Sequence, residues 1–153
     1  MIYLENKELW TLSGSVEAKP VQAPAQASVL RRGEHLTMVS WSAAVHTCVR
    51  AATSLADRGI SASVIDLRTL WPWDRDTVLA DVSRTGRLLV VHDAVQVGGF
   101  GAEVAATAAQ ATGCQVARCG APRIPVGYAA CLENLARVGV EEVLHAAAGL
   151  CQV

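Results

Sequence analysis

The chain has 153 residues, 52% hydrophobic and 18% charged, with thirteen basic against fourteen acidic side chains for a formal net charge of -1. That length and apolar content support one domain with a sizeable core and exclude wholesale disorder. The near-neutral balance excludes the basic field that binding to nucleic acid or an anionic membrane surface requires.

In chain order, the first ten residues carry Glu5, Lys7 and Glu8, so they have neither the apolar core of a signal peptide nor a membrane span, and a cytoplasmic location is expected. Ile2, Tyr3, Leu4, Leu9, Trp10 and Leu12 nevertheless put apolar surface on a piece too short to form its own core. It must dock against something else. Residues 15–27 then thin into Pro20, Pro24, Lys19, Gln22, Gln26 and alanines, the composition of an extended linker. The expected division is a docking segment over 1–12, a linker over 13–34 and one domain over 35–153.

Within that domain strands and helices alternate. Residues 36–41 read as a strand, followed by helical spacing of Val45, Cys48, Val49, Ala52, Leu55 and Ala56 up to Gly59. Residues 62–67 read as a second strand, and Asp74 as the N-cap of a helix through Val78, Leu79 and Val82 that Gly86 closes. A third strand covers 88–91, a small-residue helix runs from about Gly101 to Thr112 with Gly113 as its stop, and 116–119 form a short fourth strand. After a turn at 122–127, helical patterns carry Tyr128, Cys131, Leu132 and Leu135, then Val140, Val143, Leu144 and Ala147. Near-continuous apolar strands separated by helices predict a three-layer α/β/α domain with an open, mostly parallel sheet.

The stretch richest in chemistry is His92-Asp93 at the end of the third strand, followed by Gly98-Gly99-Phe100-Gly101-Ala102-Glu103. Open α/β sheets place ligands or partner contacts at such strand ends, and a helix N-terminus favours anions. The glycine spacing is not that of a dinucleotide fingerprint, and the first strand-to-helix turn, Trp41-Ser42-Ala43-Ala44, has no glycine. His92 and Asp93 are adjacent, so their side chains point to opposite faces and form no dyad. A hydrogen-bonded structural histidine and a close contact that excludes Cβ atoms are the expected roles. The five cysteines (Cys48, Cys114, Cys119, Cys131, Cys151) have no Cys-x-x-Cys or zinc spacing and read as reduced thiols. Glu142 and His145 match a single Glu-x-x-His by chance-level spacing, and the four tryptophans read as core or interface packing. No catalytic, cofactor-binding or metal-ligating residue emerges.

Several blocks resemble the transketolase C-terminal domain as found in the β subunit of thiamine-diphosphate-dependent 2-oxo acid dehydrogenases, the pyruvate, branched-chain and acetoin group. They are Ile2-Tyr3-Leu4-Glu5-Asn6-Lys7; residues 29–34 and 36–41; Val64-Ile65-Asp66-Leu67-Arg68-Thr69-Leu70 with Pro72 and Asp74; Thr85-Gly86-Arg87-Leu88; His92-Asp93-Ala94 with the glycine turn; and Pro122, Pro125, Tyr128 and Leu132-Glu133. The resemblance implies that thiamine diphosphate and magnesium belong to the assembled enzyme and are bound by other chains, which carry the diphosphate-binding and pyrimidine-binding domains. It also implies self-association and docking of a lipoyl acyltransferase core, with His92, Asp93, Gly98, Gly99, Phe100, Gly101, Glu103, Arg123 and Tyr128 at interfaces. Ser42, Arg123 and Gly127 depart from the residues usual there: glycine, aspartate and proline. The expected function is that of a separate subunit or fragment supporting a thiamine-diphosphate enzyme that decarboxylates a 2-oxo acid and transfers the acyl group to lipoamide or another acceptor. The alternatives are a non-catalytic homodimeric interaction module and a small nucleotide- or flavin-binding α/β domain. Valine at Gly99 or Gly101 is expected to disrupt assembly by crowding.

Overall fold

A computed structural model describes residues 5–15 and 25–152. The expectations on Ile2, Tyr3, Leu4 and residues 16–24 lie outside the described residues. A one-turn 3-10 helix, Lys7–Thr11, precedes strands β1 (Ser28–Arg31), β2 (Leu36–Ser40), β3 (Ala62–Asp66), β4 (Arg87–Val95) and β5 (Gln115–Ala121). The helices are α1 (Ala44–Ala56), α2 (Arg75–Thr85), α3 (Gly101–Thr112), α4 (Ala130–Asn134) and α5 (Val140–Cys151).

The strands form one sheet in the order β1-β3-β2-β4-β5. The inner strands are parallel, with Met38 opposite Val64 on one side and Leu89 on the other. Each inner strand is buried on both faces, which is why β2 is fully buried along its length and its sequence shows no alternation. Leu36, Met38, Val64, Leu89 and Val91 face α1 and α5, whereas Val39, Ile65, Leu88 and Val90 face α2 and α3. These two cores make the three-layer α/β/α arrangement that the alternating pattern predicts.

Local signals set the helix ends. Asp74 accepts from the Thr77 amide at 3.0 Å to cap α2, and Gly86 and Gly113 end α2 and α3 in the left-handed conformation, each at φ 69. Among the described residues no helix is long and apolar enough to cross a membrane.

Three boundaries differ from expectation. Residues 28–31, placed in the linker by composition, form β1 and pair antiparallel with β3. An edge strand half-covered on its faces needs few apolar residues, so its signal was weak. Strand β4 continues to Val95, which pairs with Ala121, and β5 has seven residues rather than four. The ladder shifts register between Val91 and Val95, so the polar His92-Asp93-Ala94 run sits on an irregularity that carries the strand past the apolar core.

A buried polar cluster pins β1 and β2 to α2 at the amino ends of the parallel strands. Asp81 has no exposed side-chain surface and binds Arg32 and Arg84, each at 2.8 Å. It also accepts from the Thr37 hydroxyl at 2.8 Å. Burial alone would raise the Asp81 carboxyl, but hydrogen bonds from Arg84, Ser63 and Thr37 and the Arg84 charge together hold it below its ordinary value.

Candidate functional site

At the carboxyl end of the sheet, β4 delivers His92 and Asp93 to opposite sides. The His92 ring is 0% exposed. It stacks on Trp41, which follows β2, with centroids 5.1 Å apart and planes 14° apart. Phe100 meets Trp41 edge-on at 6.0 Å and Trp73 edge-on at 6.4 Å. His92 Nδ1 lies 3.0 Å from the Ala94 carbonyl, which requires the proton on Nδ1 and leaves Nε2 as an acceptor. Nε2 is buried without a hydrogen-bond partner among the described residues. Burial pushes the imidazole below its ordinary pKa, favouring the neutral form.

The glycines explain how the ring fits. A Cβ on Gly101 would stand 2.5 Å from His92 Cδ2 and Nε2; one on Gly99 would stand 2.8 Å from His92 Cε1 and 2.5 Å from the Val95 carbonyl oxygen. Gly120, on β5, closes the third side, its Cβ position 2.8 Å from Cε1. The turn therefore holds its own histidine. The Ala102 and Glu103 amides already donate to the Gly99 and Phe100 carbonyls at 3.0 Å, so two of the backbone donors at the start of α3 are already paired.

Asp93 points to the surface. Its carboxylate accepts from the Ala44 amide, capping α1, whose own N-cap Ala43 offers no side-chain acceptor. Burial, then the nearby Glu8 charge, raises the Asp93 carboxyl above its ordinary value despite that amide. Asp93 lines a cleft of about 320 Å³ with Glu8, Thr47, Arg50, Asn134 and Arg137. A second hollow of about 280 Å³ shares Glu8, Asp93 and Arg137 and adds Asn6, Val126 and Glu133. Arg137 binds both Glu8, at 2.5 Å, and Glu133, at 2.7 Å.

The residues expected at interfaces therefore separate. His92 and Gly101 are buried within this chain and shape the corner from beneath. A side chain at Gly101 would meet His92 within the same chain. Gly98 turns the chain at φ 77, Gly99 and Phe100 are half-buried, and Asp93, Glu103, Arg123 and Tyr128 are exposed. Glu103 accepts from the Thr107 hydroxyl at 3.3 Å. Glu142, half of the Glu-x-x-His spacing, accepts from the Gly139 amide to cap α5. Among the described residues no group of three or more His, Cys, Asp or Glu could hold a metal ion. Burial pushes the Cys48 thiol up to about 12 and the Cys119 thiol up to about 11, so neither is a ready nucleophile. Gly120 and Arg137 were missed in the sequence, whereas Trp41, read as a packing residue, packs on His92 and Phe100. An isolated glycine in a strand is a sign of close backbone approach, and Glu133 with Arg137 is an i, i+4 pair.

Fold and corner together define an open, doubly wound α/β domain whose strand-end turn is closed by its own side chains. The chain belongs to the transketolase C-terminal domain family, whose sequence pattern matches residues 25–143. It is 35% identical over 162 aligned positions to the pyruvate dehydrogenase E1 component subunit beta of Dictyostelium discoideum, covering 99% of this chain and 45% of that protein. It is 36% identical over 140 to the acetoin:2,6-dichlorophenolindophenol oxidoreductase subunit beta of Cupriavidus necator, covering 88% of this chain and 41% of that one. A 2-oxoisovalerate dehydrogenase subunit beta 2 of Arabidopsis thaliana is 46% identical over 83 residues, 54% of this chain and 23% of that protein. The solved structure of a split gene transketolase, an inactive beta4 tetramer, shares the fold with a TM-score of 0.79 and 23% identity over 92% of this chain and 48% of that chain. The chain spans less than half the length of these relatives and corresponds to the C-terminal domain of 2-oxo acid dehydrogenase β subunits.

Proposed function

We propose that the chain is a subunit or fragment that completes a thiamine-diphosphate enzyme, one that decarboxylates a 2-oxo acid and passes the acyl group to lipoamide or another acceptor. It contributes assembly surface. Thiamine diphosphate and magnesium are held by chains carrying the diphosphate-binding and pyrimidine-binding domains, and a lipoyl acyltransferase core is a further partner. The observation that carries this reading is the exposed apolar band on the stretch after β5. Val126 is 66%, Leu135 71% and Tyr128 104% exposed, with Ile124 and Leu132 also exposed. Trp10 (67%) and Leu12 stand exposed on the leading segment. Exposed apolar side chains in this number on one stretch mark a binding surface, and the sequence match covers domains that sit within proteins more than twice as long.

The test is co-expression with chains carrying the two cofactor-binding domains. The expected result is a co-purifying complex with 2-oxo acid decarboxylase activity, and loss of both with Tyr128→Asp while the isolated chain stays as stable as the wild type. Chains that stay apart at micromolar concentration, with activity independent of this one, would refute it. A stable dimer of this chain together with that result would favour the homodimeric interaction module.

A further inference from the structure

We propose that the His92 corner is an acid-operated gate: a proton on Nε2 drives residues 96–100 off the ring and bares the Trp41–Phe100 contact, while the sheet stays folded. The inference concerns the chain alone and does not depend on the function proposed above.

Three observations carry it. First, the ring has no place for a second proton. With Nδ1 turned to the Ala94 carbonyl at 3.0 Å, a proton on Nε2 would need an acceptor, and Nε2 is buried with none among the described residues. Second, the box around the ring has no slack. Cβ positions on Gly99, Gly101 and Gly120 all fall 2.5–2.8 Å from ring atoms, and Trp41 covers one face. The ring cannot bring Nε2 to water unless a wall moves. Third, the walls differ in strength. Gly120 lies within β5 between Cys119 and Ala121, which both pair with β4, and Trp41 packs on the core beneath α2 and α3. The turn is the weak wall. Val97 and Gly98 are exposed, Gly98 at φ 77, and the turn is tied down at Gln96, whose amide donates to the Ala121 carbonyl at 3.0 Å and whose carbonyl accepts from Arg118 at 3.1 Å. At its other end Phe100 rests edge-on against Trp41 and Trp73.

The charges acting on the ring come from β5 and β4: Arg118 opposes protonation, and Asp93 favours it. The acidic residue of the first turn of α3, Glu103, is engaged with the Thr107 hydroxyl, and Asp74, next to Trp73, caps α2. Stacking of a charged ring on Trp41 would be attractive, but it gives Nε2 no acceptor. Burial outweighs the contributions of Ala94 and Asp93, so the closed corner favours the neutral ring. An open corner removes that burial, and the proton then selects the open form.

Native-state amide hydrogen exchange of the 15N-labelled full chain tests the gate. The reporters are the amides of Gln96 and Ala102, bonded to the Ala121 and Gly99 carbonyls at 3.0 Å. The open ring titrates near its ordinary value of about 6.5. After correction for the intrinsic exchange rate at each pH, opening at both reporters is therefore expected to grow about tenfold between pH 7.5 and pH 5.0. It should not depend on urea well below the unfolding midpoint, whereas β2 amides, which open by global unfolding, should depend on it steeply. His92→Gln, which leaves Asp93 and Arg118 in place, should abolish the pH dependence at both reporters. Exchange at Gln96 and Ala102 that is flat with pH, that follows urea as steeply as β2, or that keeps its pH dependence in His92→Gln would each overturn the proposal. The first two readings need only the wild type, so they decide the matter even where the variant fails to fold.

Discussion

Gly101→Ala probes the glycine corner most directly, because the two contributions to its effect have opposite signs. Gly101 opens α3 without a positive φ, so on local grounds alanine should stabilise the helix by about 0.5–1 kcal/mol. The structure adds a collision: the new methyl would meet His92 Cδ2 and Nε2 at 2.5 Å and Val90 Cγ1 at 3.1 Å. Ordinary carbon contacts lie near ~3.5–4.0 Å. The ring has nowhere to retreat, held by Trp41 on its face, by the Ala94 carbonyl at Nδ1 and by Gly99 and Gly120 at Cε1. Overpacking of about 1–3 kcal/mol, with about 1 kcal/mol for a disturbed hydrogen bond, outweighs the helix gain. The net expectation is a loss of about 2 kcal/mol. In a His92→Ala background the collision disappears, and Gly101→Ala should be neutral or mildly stabilising, for a coupling of about 2–3 kcal/mol. Urea unfolding of the four proteins measures this, as midpoint shifts at constant slope. An equal loss in both backgrounds, or a loss under about 0.5 kcal/mol in the wild type, would refute the account of why the glycines are there.

Ser42 sits at φ 58 after β2; Ser42→Gly should raise stability by about 1 kcal/mol, read as a higher melting temperature, because a Cβ is disfavoured in that region. Asp81→Ala should cost about 2 kcal/mol, below the usual figure for a broken buried pair because Arg32 and Arg84 reach solvent; unfolding in denaturant measures it, and Asp81→Asn should recover part. The Asp81 carboxyl is depressed in the fold, so its contribution is present above the unfolded value near ~3.9 and fades as pH falls through the folded value. His92 is also depressed, but as a base. The unfolded chain then binds the extra proton, and stability should decline as pH drops below about 6.5. His92→Gln should flatten that decline in unfolding curves taken between pH 7 and pH 5.

The parallel strands were legible because burial on both faces leaves uninterrupted apolar runs, as in Leu88, Leu89, Val90 and Val91. The ends of α2 were legible because Asp74 and Gly86 act locally. Strand β1 was not, since an antiparallel edge draws its stability from pairing with β3 and needs little apolar sequence. At the corner, spacing announced a close approach at Gly99 and Gly101 but could not say to what. The answer depends on Trp41 and Gly120, which lie some 50 residues before His92 and on the neighbouring strand β5. Asp93 escaped for the same reason, as a cap supplied to α1 from β4. Long-range geometry leaves no local periodicity to read.

The direction of β1 has a consequence for connectivity. Because β1 runs opposite to its neighbours, its start pairs with the end of β3, Ser28 against Asp66, and the Ala27 amide reaches the Asp74 carboxylate. The strand thus enters at the carboxyl end of the parallel strands, the end that carries the Glu8–Arg137 contact beside Asp93, although β1 and β5 are opposite edges of the sheet. Any polypeptide joined ahead of β1 is delivered to that end at about millimolar effective concentration, whereas a separate chain must find it by diffusion. Covalent continuity there would supply proximity rather than a path, so the same face could serve a tethered partner or a free one, differing only in the concentration at which the two halves meet.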